Sequence, residues 1–502
     1  MKRLQIFPAL LVAFTLVAQD APKTDVSHLT LEDAIQTALK SNLQVQISEQ
    51  TRESAKANLQ FSEGTFDWLL TSNLTLSHAK SVFENKFFNA GSAPVSGSST
   101  SNFRNWTVGV AKPFEWGGNF QLNYNPSYSY TESNIVGYGT RTTTTPYTGT
   151  FSASYTQSLL RNFGRDASAT NLIVAQYGSK AADYAFQLAV INQVATTESA
   201  YWDVVYAKRD LENKQQALQL AQQQLRENEI RVKVGTLAPI EVTSSEASVA
   251  QAEQNIIASE AQLLNAKDAL IRILYPTSDR PKGLDTADLP SVKPMDVTED
   301  AAIKQALSNR VELKSAELDL ASKKVLERAA KNRILPQLDL TVAYNGTASN
   351  YETYSPVNTD LFQAKNPGYS VGLQFSLPIQ NRAAKGNQAI ARANRRSSEL
   401  SLHDLELGIT LEARQAFRNL DAASKGVTAA QKTRVYREQD LDAERKKFEN
   451  GMSTNFLVLS KLNDLNTAKA SELQAQIAYA KAVTDLEKAM GRLLQTRHLE
   501  VK

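Results

Sequence analysis

The chain is an imperfect duplicate of itself, and self-similarity over so long a period limits its possible architectures more than any local motif does. A shift of 268 positions lays Ala34, Ile35, Ala38 and Leu39 on Ala302, Ile303, Ala306 and Leu307. A shift of 216 then lays Tyr201, Gly235, Val242, Val249, Ala266 and Leu270 on Phe417, Gly451, Val458, Leu465, Ala482 and Leu486 without a gap. Residues 29–276 are therefore read as a first repeat, 297–491 as a second, and 492–502 as a C-terminal tail. Between the repeats, 277–296 holds Pro281, Pro290, Pro294 and Gly283, which suit neither helix nor strand interior, so it reads as a linker.

Each repeat ends in a long helical hairpin. Ser179 to Val234 contains no glycine or proline and is rich in Ala, Gln, Leu, Glu and Lys, a helix-forming composition. Gly235 interrupts it, and Ile240 to Tyr275 returns with Val249, Ile256, Leu263 and Leu270 seven apart. Beside that seam run the small residues Ala252, Ser259 and Ala266, as in a coiled coil with a close approach on one side. The second repeat gives a helix from about Asn387 to Asn450, with Gly408 and Gly426 as places to bend, then a turn at Gly451 and a return to about Met490.

Before the hairpins the period changes from helical to two. Leu70, Leu74 and Leu76 alternate with Thr71, Asn73 and Thr75; Trp106, Val108 and Val110 with Thr107, Gly109 and Ala111; Phe120, Leu122 and Tyr124 with Gln121 and Asn123. Phe151, Ala153 and Tyr155 continue the pattern, and the second repeat supplies Leu338 to Tyr344 and Tyr369 to Leu377. Residues 61–163 hold 19 of the chain's 39 aromatic residues, the kind that form girdles at membrane interfaces. Segments of about ten residues, apolar outward and polar inward, are the mark of transmembrane barrel strands. The stretches 80–101 and 132–146, rich in Ser, Gly, Thr and Asn, read as long outer loops, and Pro113 to Gly118 as a short periplasmic turn.

Composition removes most other classes. With no cysteine there is no disulfide scaffold, thiolate metal site or cysteine nucleophile. A net charge of +3 over 502 residues gives no basic surface for nucleic acid. His28, His78, His403 and His498 lie far apart without metal-ligand spacing, and no P-loop, GxSxG or HExxH is present, so no catalytic, cofactor or metal site is expected. Residues 1–18, with Lys2 and Arg3 ahead of an apolar run to Val17, read as a cleaved secretory signal.

The two glycine turns, the strand pairs, Leu31-Glu32-Asp33-Ala34 near the start, and Gln157-Ser158-Leu159-Leu160-Arg161 and Leu377-Pro378-Ile379 at the strand-to-helix passages together resemble a TolC-family outer-membrane efflux protein. The resemblance implies a mixed α and β membrane protein, a homotrimer whose strands share one β-barrel in outer-membrane lipid, continued by an α-helical periplasmic barrel. It further implies a passive exit duct of a tripartite efflux pump or type I secretion system, opened by a periplasmic adaptor protein and an inner-membrane transporter. Closure by several copies also follows from physics, since an open sheet edge in lipid costs several kcal/mol per unpaired group. Such proteins give two strands per repeat, whereas this first repeat holds about four. If the additional hairpin, 103–131, joins the barrel, three chains give 18 strands; if it folds elsewhere, 12 remain.

The resemblance places adaptor contact at the hairpin tips Val234, Gly235, Thr236 and Leu237, and Asn450, Gly451, Met452 and Ser453. The periplasmic aperture falls on Glu241, Phe456, Leu457 and Ser460. The family's best-known member has aspartates just after the second tip, where this chain has Leu457 and Ser460, so closure here is expected to rely on packing around Phe456 and Leu457, with Glu241 as the main charge. Arg161, Arg165, Arg382, Lys385, Arg392, Arg395 and Arg396 follow the last strands and suit either lipid phosphates or a solvated helix face. Two other classes stand beside this reading: a soluble periplasmic coiled-coil structural protein with an ordinary β-sandwich, and a secreted enzyme with its site in the long loops.

Overall fold

The structure, a computed structural model, describes residues 29–86, 94–137, 139–144, 146–276, 283–288, 290, 292 and 295–500. The signal reading over 1–18 and half of the linker lie outside them. In chain order the elements are α1 (Leu31–Ser41), α2 (Leu43–Glu63), β1 (Leu69–Lys86), β2 (Val95–Pro113), β3 (Gly118–Ile135), β4 (Gly139–Thr144), β5 (Tyr147–Ser158), α3 (Arg165–Ser168), α4 (Thr170–Lys233) and α5 (Ile240–Leu274). There follow α6 (Glu299–Asn309), α7 (Val311–Asn332), β6 (Gln337–Asn350), α8 (Tyr354–Phe362), β7 (Pro367–Ser376), α9 (Arg382–Glu449), α10 (Asn455–Ala489) and α11 (Leu493–Thr496).

The repeats begin with the same local chemistry. The Thr30 hydroxyl caps α1 by accepting the Asp33 N–H at 3.2 Å, and Thr298 caps α6 by accepting the Ala301 N–H at 3.3 Å. Each helix runs 11 residues and stops where an extended residue, Asn42 or Arg310, donates its N–H to the carbonyl of Ala38 or Ala306. The long helices outrun their sequence bounds: α4 starts at Thr170 and passes through Gly178, and α9 starts at Arg382 and stays helical through Gly408 and Gly426. A single glycine costs a helix only about 1 kcal/mol, which neighbouring turns of Ala, Leu and Glu offset.

The chain forms two compact units. One draws on the described residues of 29–43, 192–296 and 418–486. Its core holds Tyr201, Trp202, Val204 and Val205 of α4 against Leu270 and Leu274 of α5, with Leu29, Leu284, Leu473 and Ile477. The Tyr201 hydroxyl lies 2.9 Å from both the Leu29 carbonyl and Asp288 Oδ2, joining the chain ahead of α1 to the segment after α5. A second cluster packs Leu441 and Phe448 of α9 on Val458, Leu462 and Leu465 of α10, with Leu220 and Leu237 alongside. The α5 seam turns inward as its spacing predicts: Leu270 and Ser259 are buried and Val249, Ile256 and Leu263 half-buried, while Ile257 and Leu264 stay 67% and 63% exposed.

The other unit holds the sheet, whose strand order is β1-β2-β3-β5-β6-β7, antiparallel throughout, with the short β4 paired to β3. In the same unit, Ala306 and Leu313 pack on Ile409 and Ala413 of α9. The stretches read as outer loops are largely strand: β1 runs to Lys86, β2 begins at Val95, and β3 pairs with β4 beyond Tyr130. Both faces there are mostly polar, and the adjacent Val82 and Phe83 fall on opposite faces, so no period-2 contrast marks them. The backbone ladder is supplemented by cross-strand hydroxyl contacts, Ser99 to Ser133 at 3.3 Å and Ser101 to Thr131 at 3.2 Å.

Candidate functional site

Side chains alternate across a strand, so the register decides which residues share a face. Leu70 stands opposite Val110, Val110 opposite Leu122, Leu122 opposite Ala153, Ala153 opposite Tyr344, and Tyr344 opposite Tyr369. One face is thus apolar and aromatic from edge to edge. The rows beside it, Thr71, Gly109, Asn123, Ser152, Asn345 and Gly368, put small polar residues on the other face. The apolar face is largely uncovered: Leu70 and Leu74 on β1 are 71% and 64% exposed, Tyr369 and Val371 on β7 79% and 72%. Its exception is α8, whose buried Val357 and Leu361 pack on Ala348, Tyr124, Tyr147 and Phe151, filling the space left by Gly149. That contact had no counterpart in the sequence reading. Lys112 sits at the border of this face, with Nζ donating to the Phe66 carbonyl at 2.8 Å and lying 5.3 Å from the Trp68 ring.

The hairpin ends form the second feature. Gly235 and Gly451 have φ of +76° and +72°, and each closes its helix in the same way. Gly235 N–H donates to Val232 and Thr236 N–H to Arg231; Gly451 N–H donates to Phe448 and Met452 N–H to Lys447. Val234, Met452 and Phe456 are 67%, 71% and 70% exposed, and Leu457 and Ser460 also reach solvent. Leu237 instead packs toward the Leu441–Phe448 cluster. Asn450 Nδ2 donates to the Lys446 carbonyl at 2.7 Å.

Glu241 meets the second hairpin through a polar cluster that sequence reasoning missed. Asn455 Nδ2 donates to Glu241 Oε2 at 3.0 Å, and Asn455 Oδ1 accepts from Asn228 Nδ2 at 2.8 Å and from Gln224 Nε2 at 3.3 Å. Asn228 Nδ2 also reaches Ser245 Oγ at 2.8 Å. Gln224, Asn228, Ser245 and Asn455 are all buried. Residues 227 positions apart share no local motif; the available signal was amides standing where a coiled-coil seam expects apolar side chains.

Ser453 donates its hydroxyl to Glu444, and Lys447 Nζ lies 3.1 Å from the same carboxyl. These two contacts, the hydroxyl first, hold Glu444 below the ordinary carboxylate range. A depressed folded value means that the contribution is complete above the unfolded carboxylate value and is lost as pH falls through the folded one. Protection of the amides at 450–453, taken relative to the rate of an unstructured chain at the same pH, is therefore expected to fall as the solution is acidified past the ordinary carboxylate range. Glu444→Gln should flatten that pH dependence; an unchanged profile in the variant would show that Glu444 is not its source.

Four of the arginines after the strands are engaged with carboxylates: Arg395 with Glu327 at 2.5 Å and with Glu399, Arg392 with Glu327 at 3.7 Å, Arg396 with Glu399 at 3.2 Å, and Arg165 with Glu115 at 2.8 Å. This favours the solvated, ion-paired helix face over dedicated phosphate ligands. His78 pairs with Asn102 across β1 and β2 at 2.9 Å, and His403 with Glu406 at 3.3 Å. Among the described residues no group of three His, Asp or Glu side chains is placed to hold a metal ion, and no helix is long and apolar enough to cross a membrane.

The family model described as outer membrane efflux protein matches residues 119–274 and 302–492. Among solved structures, VceC from Vibrio cholerae, an outer membrane protein, aligns with TM-score 0.64 at 14% identity, covering 92% of this chain and 96% of that one. The Campylobacter jejuni CmeC outer membrane channel gives 0.62 at 16%, covering 92% and 86%. The open-state MtrE outer membrane channel of Neisseria gonorrhoeae gives 0.60 at 16%, covering 92% and 89%. No curated protein sequence matches the chain.

Proposed function

The chain belongs to the outer membrane efflux protein family, and from that premise we propose that three copies close their sheets into one barrel and conduct solute passively, under the control of an adaptor and an inner-membrane pump. It is an outer-membrane efflux channel with a periplasmic helical part, and channels of this family work with such partners. The observation that carries the trimeric reading is the sheet itself: one face apolar and largely uncovered, the other polar, and both edges, β1 and β7, without a strand partner among the described residues. A soluble sandwich would cover that face, and α8 covers only part of it. Extraction with detergent should yield a trimer that conducts in lipid bilayers; a freely soluble monomer without conductance would overturn the reading.

The adaptor is proposed to meet the tips Val234 to Leu237 and Asn450 to Ser453, where Val234 and Met452 offer exposed apolar surface. The aperture is assigned to Phe456, Leu457 and Ser460 with Glu241 as its charge. Support comes from Phe456 lying next to Asn455, which holds the Glu241 carboxylate. Block of single-channel current by divalent cations is expected to weaken in Glu241→Gln by about tenfold or more, the factor that 1.4 kcal/mol gives. Equal block in both proteins would remove Glu241 from the aperture.

A further inference from the structure

We propose that the additional hairpin is part of the barrel wall, so that three copies close 18 strands around a wide lumen with almost no fixed charge. The inference rests on the three-copy closure proposed above.

Strand order is the first argument. In each chain β1 reaches β5 only through β2 and β3, so a hairpin folded elsewhere would break the sheet between the apolar rows of β1 and those of β5. The pairing of β2 with β3 and of β3 with β5 keeps one register from Gly97 to Pro113 and from Gly118 to Ser127, so the two faces pass through the hairpin unchanged. Val108, Val110, Leu122 and Tyr124 extend the apolar face there, and Gly109, Asn123 and Asn125 the polar one.

Strand direction is the second. Neighbours alternate, and the path contains six strands, so β7 runs opposite to β1. The β7 edge of one copy can then meet the β1 edge of the next as an antiparallel pair, and three identical seams leave no edge in lipid. An odd number of strands per copy would make those seams parallel.

Size and lining follow. With strands about 4.8 Å apart and tilted about 40°, 18 strands give a backbone radius of about 18 Å, against about 12 Å for 12. Along the in-register part of the six-strand polar face, the only ionisable residue is Asp339, opposite Ser158 and Gln374. The remainder is mostly hydroxyl, amide, glycine and alanine. Such a wall resists passage of neither anions nor cations and admits bulky solutes, leaving discrimination to other parts of the assembly.

The cysteine-free chain permits a direct test. Single variants Leu122→Cys and Asn123→Cys on β3, and Val342→Cys and Ala343→Cys on β6, are reconstituted in liposomes and treated with a membrane-impermeant maleimide. The expected result is labelling at 123 and 343 with protection at 122 and 342. Alternation on β6 but equal labelling, or none, at both β3 positions would overturn the inference and leave the trimeric duct standing with 12 strands. Loss of alternation on both strands would overturn the duct as well. Electron micrographs of extracted trimers viewed end-on supply an independent measure. A barrel about 46 Å across its outer side chains supports the proposal and one of about 34 Å refutes it, taking the same strand geometry and about 5 Å for side chains.

Discussion

Val371→Arg is expected to keep the protein out of the membrane, whereas Ser370→Arg, one position earlier on the same strand, is expected to insert normally. Val371 stands opposite Val342 on the apolar face, and Ser370 opposite Ala343 on the polar one. An arginine facing lipid near the bilayer centre costs about 2–4 kcal/mol, and three copies multiply the cost to about 6–12 kcal/mol per trimer. An arginine on the lumen face stays in water and adds only charge. Separating membranes from the soluble fraction and quantifying extracted trimer reads the difference directly. Val371→Arg should lower membrane trimer at least about tenfold, a factor that needs only 1.4 kcal/mol. Equal insertion of the two variants would mean that the apolar face does not meet hydrocarbon, and the channel reading would lose its foundation.

The second large effect is expected in the helical unit. Leu270 is fully buried among Tyr201, Trp202, Leu274 and Leu473, so Leu270→Ala removes contacts and leaves a cavity, at a cost of about 2–5 kcal/mol. Tyr201→Phe keeps the ring but removes the hydroxyl that Leu29 and Asp288 share; the Leu29 carbonyl keeps the Ala287 N–H and Asp288 Oδ2 keeps the Leu31 N–H, so the cost is that of the lost hydrogen bonds alone, about 0.5–1.5 kcal/mol each. Leu264→Ala, on the exposed side of α5, should stay within about 0.5 kcal/mol in a dissociated chain. Denaturant titration monitored by helix content, with amide exchange over 29–38 and 201–205, would rank the three. A Leu270→Ala variant as stable as Leu264→Ala would contradict the packing described for α4 and α5.

What the sequence disclosed and what it withheld divide along physical lines. Leu70 to Leu76 and Tyr369 to Phe375 were readable as strands because one face meets an apolar phase and the other does not, which imprints a period of two. The turns at Gly235 and Gly451 were readable because a positive φ selects glycine. Residues 95–101 and 131–135 were not, since a strand wetted on both sides carries no contrast and Ser-rich composition imitates a loop. The helix α8 escaped for a related reason: Val357 and Leu361 are its two buried anchors, too few to establish a helical period. The amide cluster at Asn228 and Asn455 depends on contacts between helices of different repeats, which no local window contains. At the proposed aperture, the sequence singled out Glu241 and Phe456 but gave no sign that Asn455 ties the first of them in place.

The unequal lengths of the strands also shape the outside of the cell. β1, β2 and β3 run 18, 19 and 18 residues, whereas β7 has 10. At about 3.3 Å per residue and a tilt of about 40°, the long strands rise about 45 Å through a hydrophobic band of about 25 Å. On the proposed three-copy reading, with the short Pro113–Gly118 turn facing the periplasm, the surplus would stand beyond the outer leaflet as a hydroxyl-rich parapet built mainly by the first repeat, with the 14-residue β6 and α8 of the second beside it. Antibodies or phage approaching an intact bacterium would meet that rim before any other part of the protein.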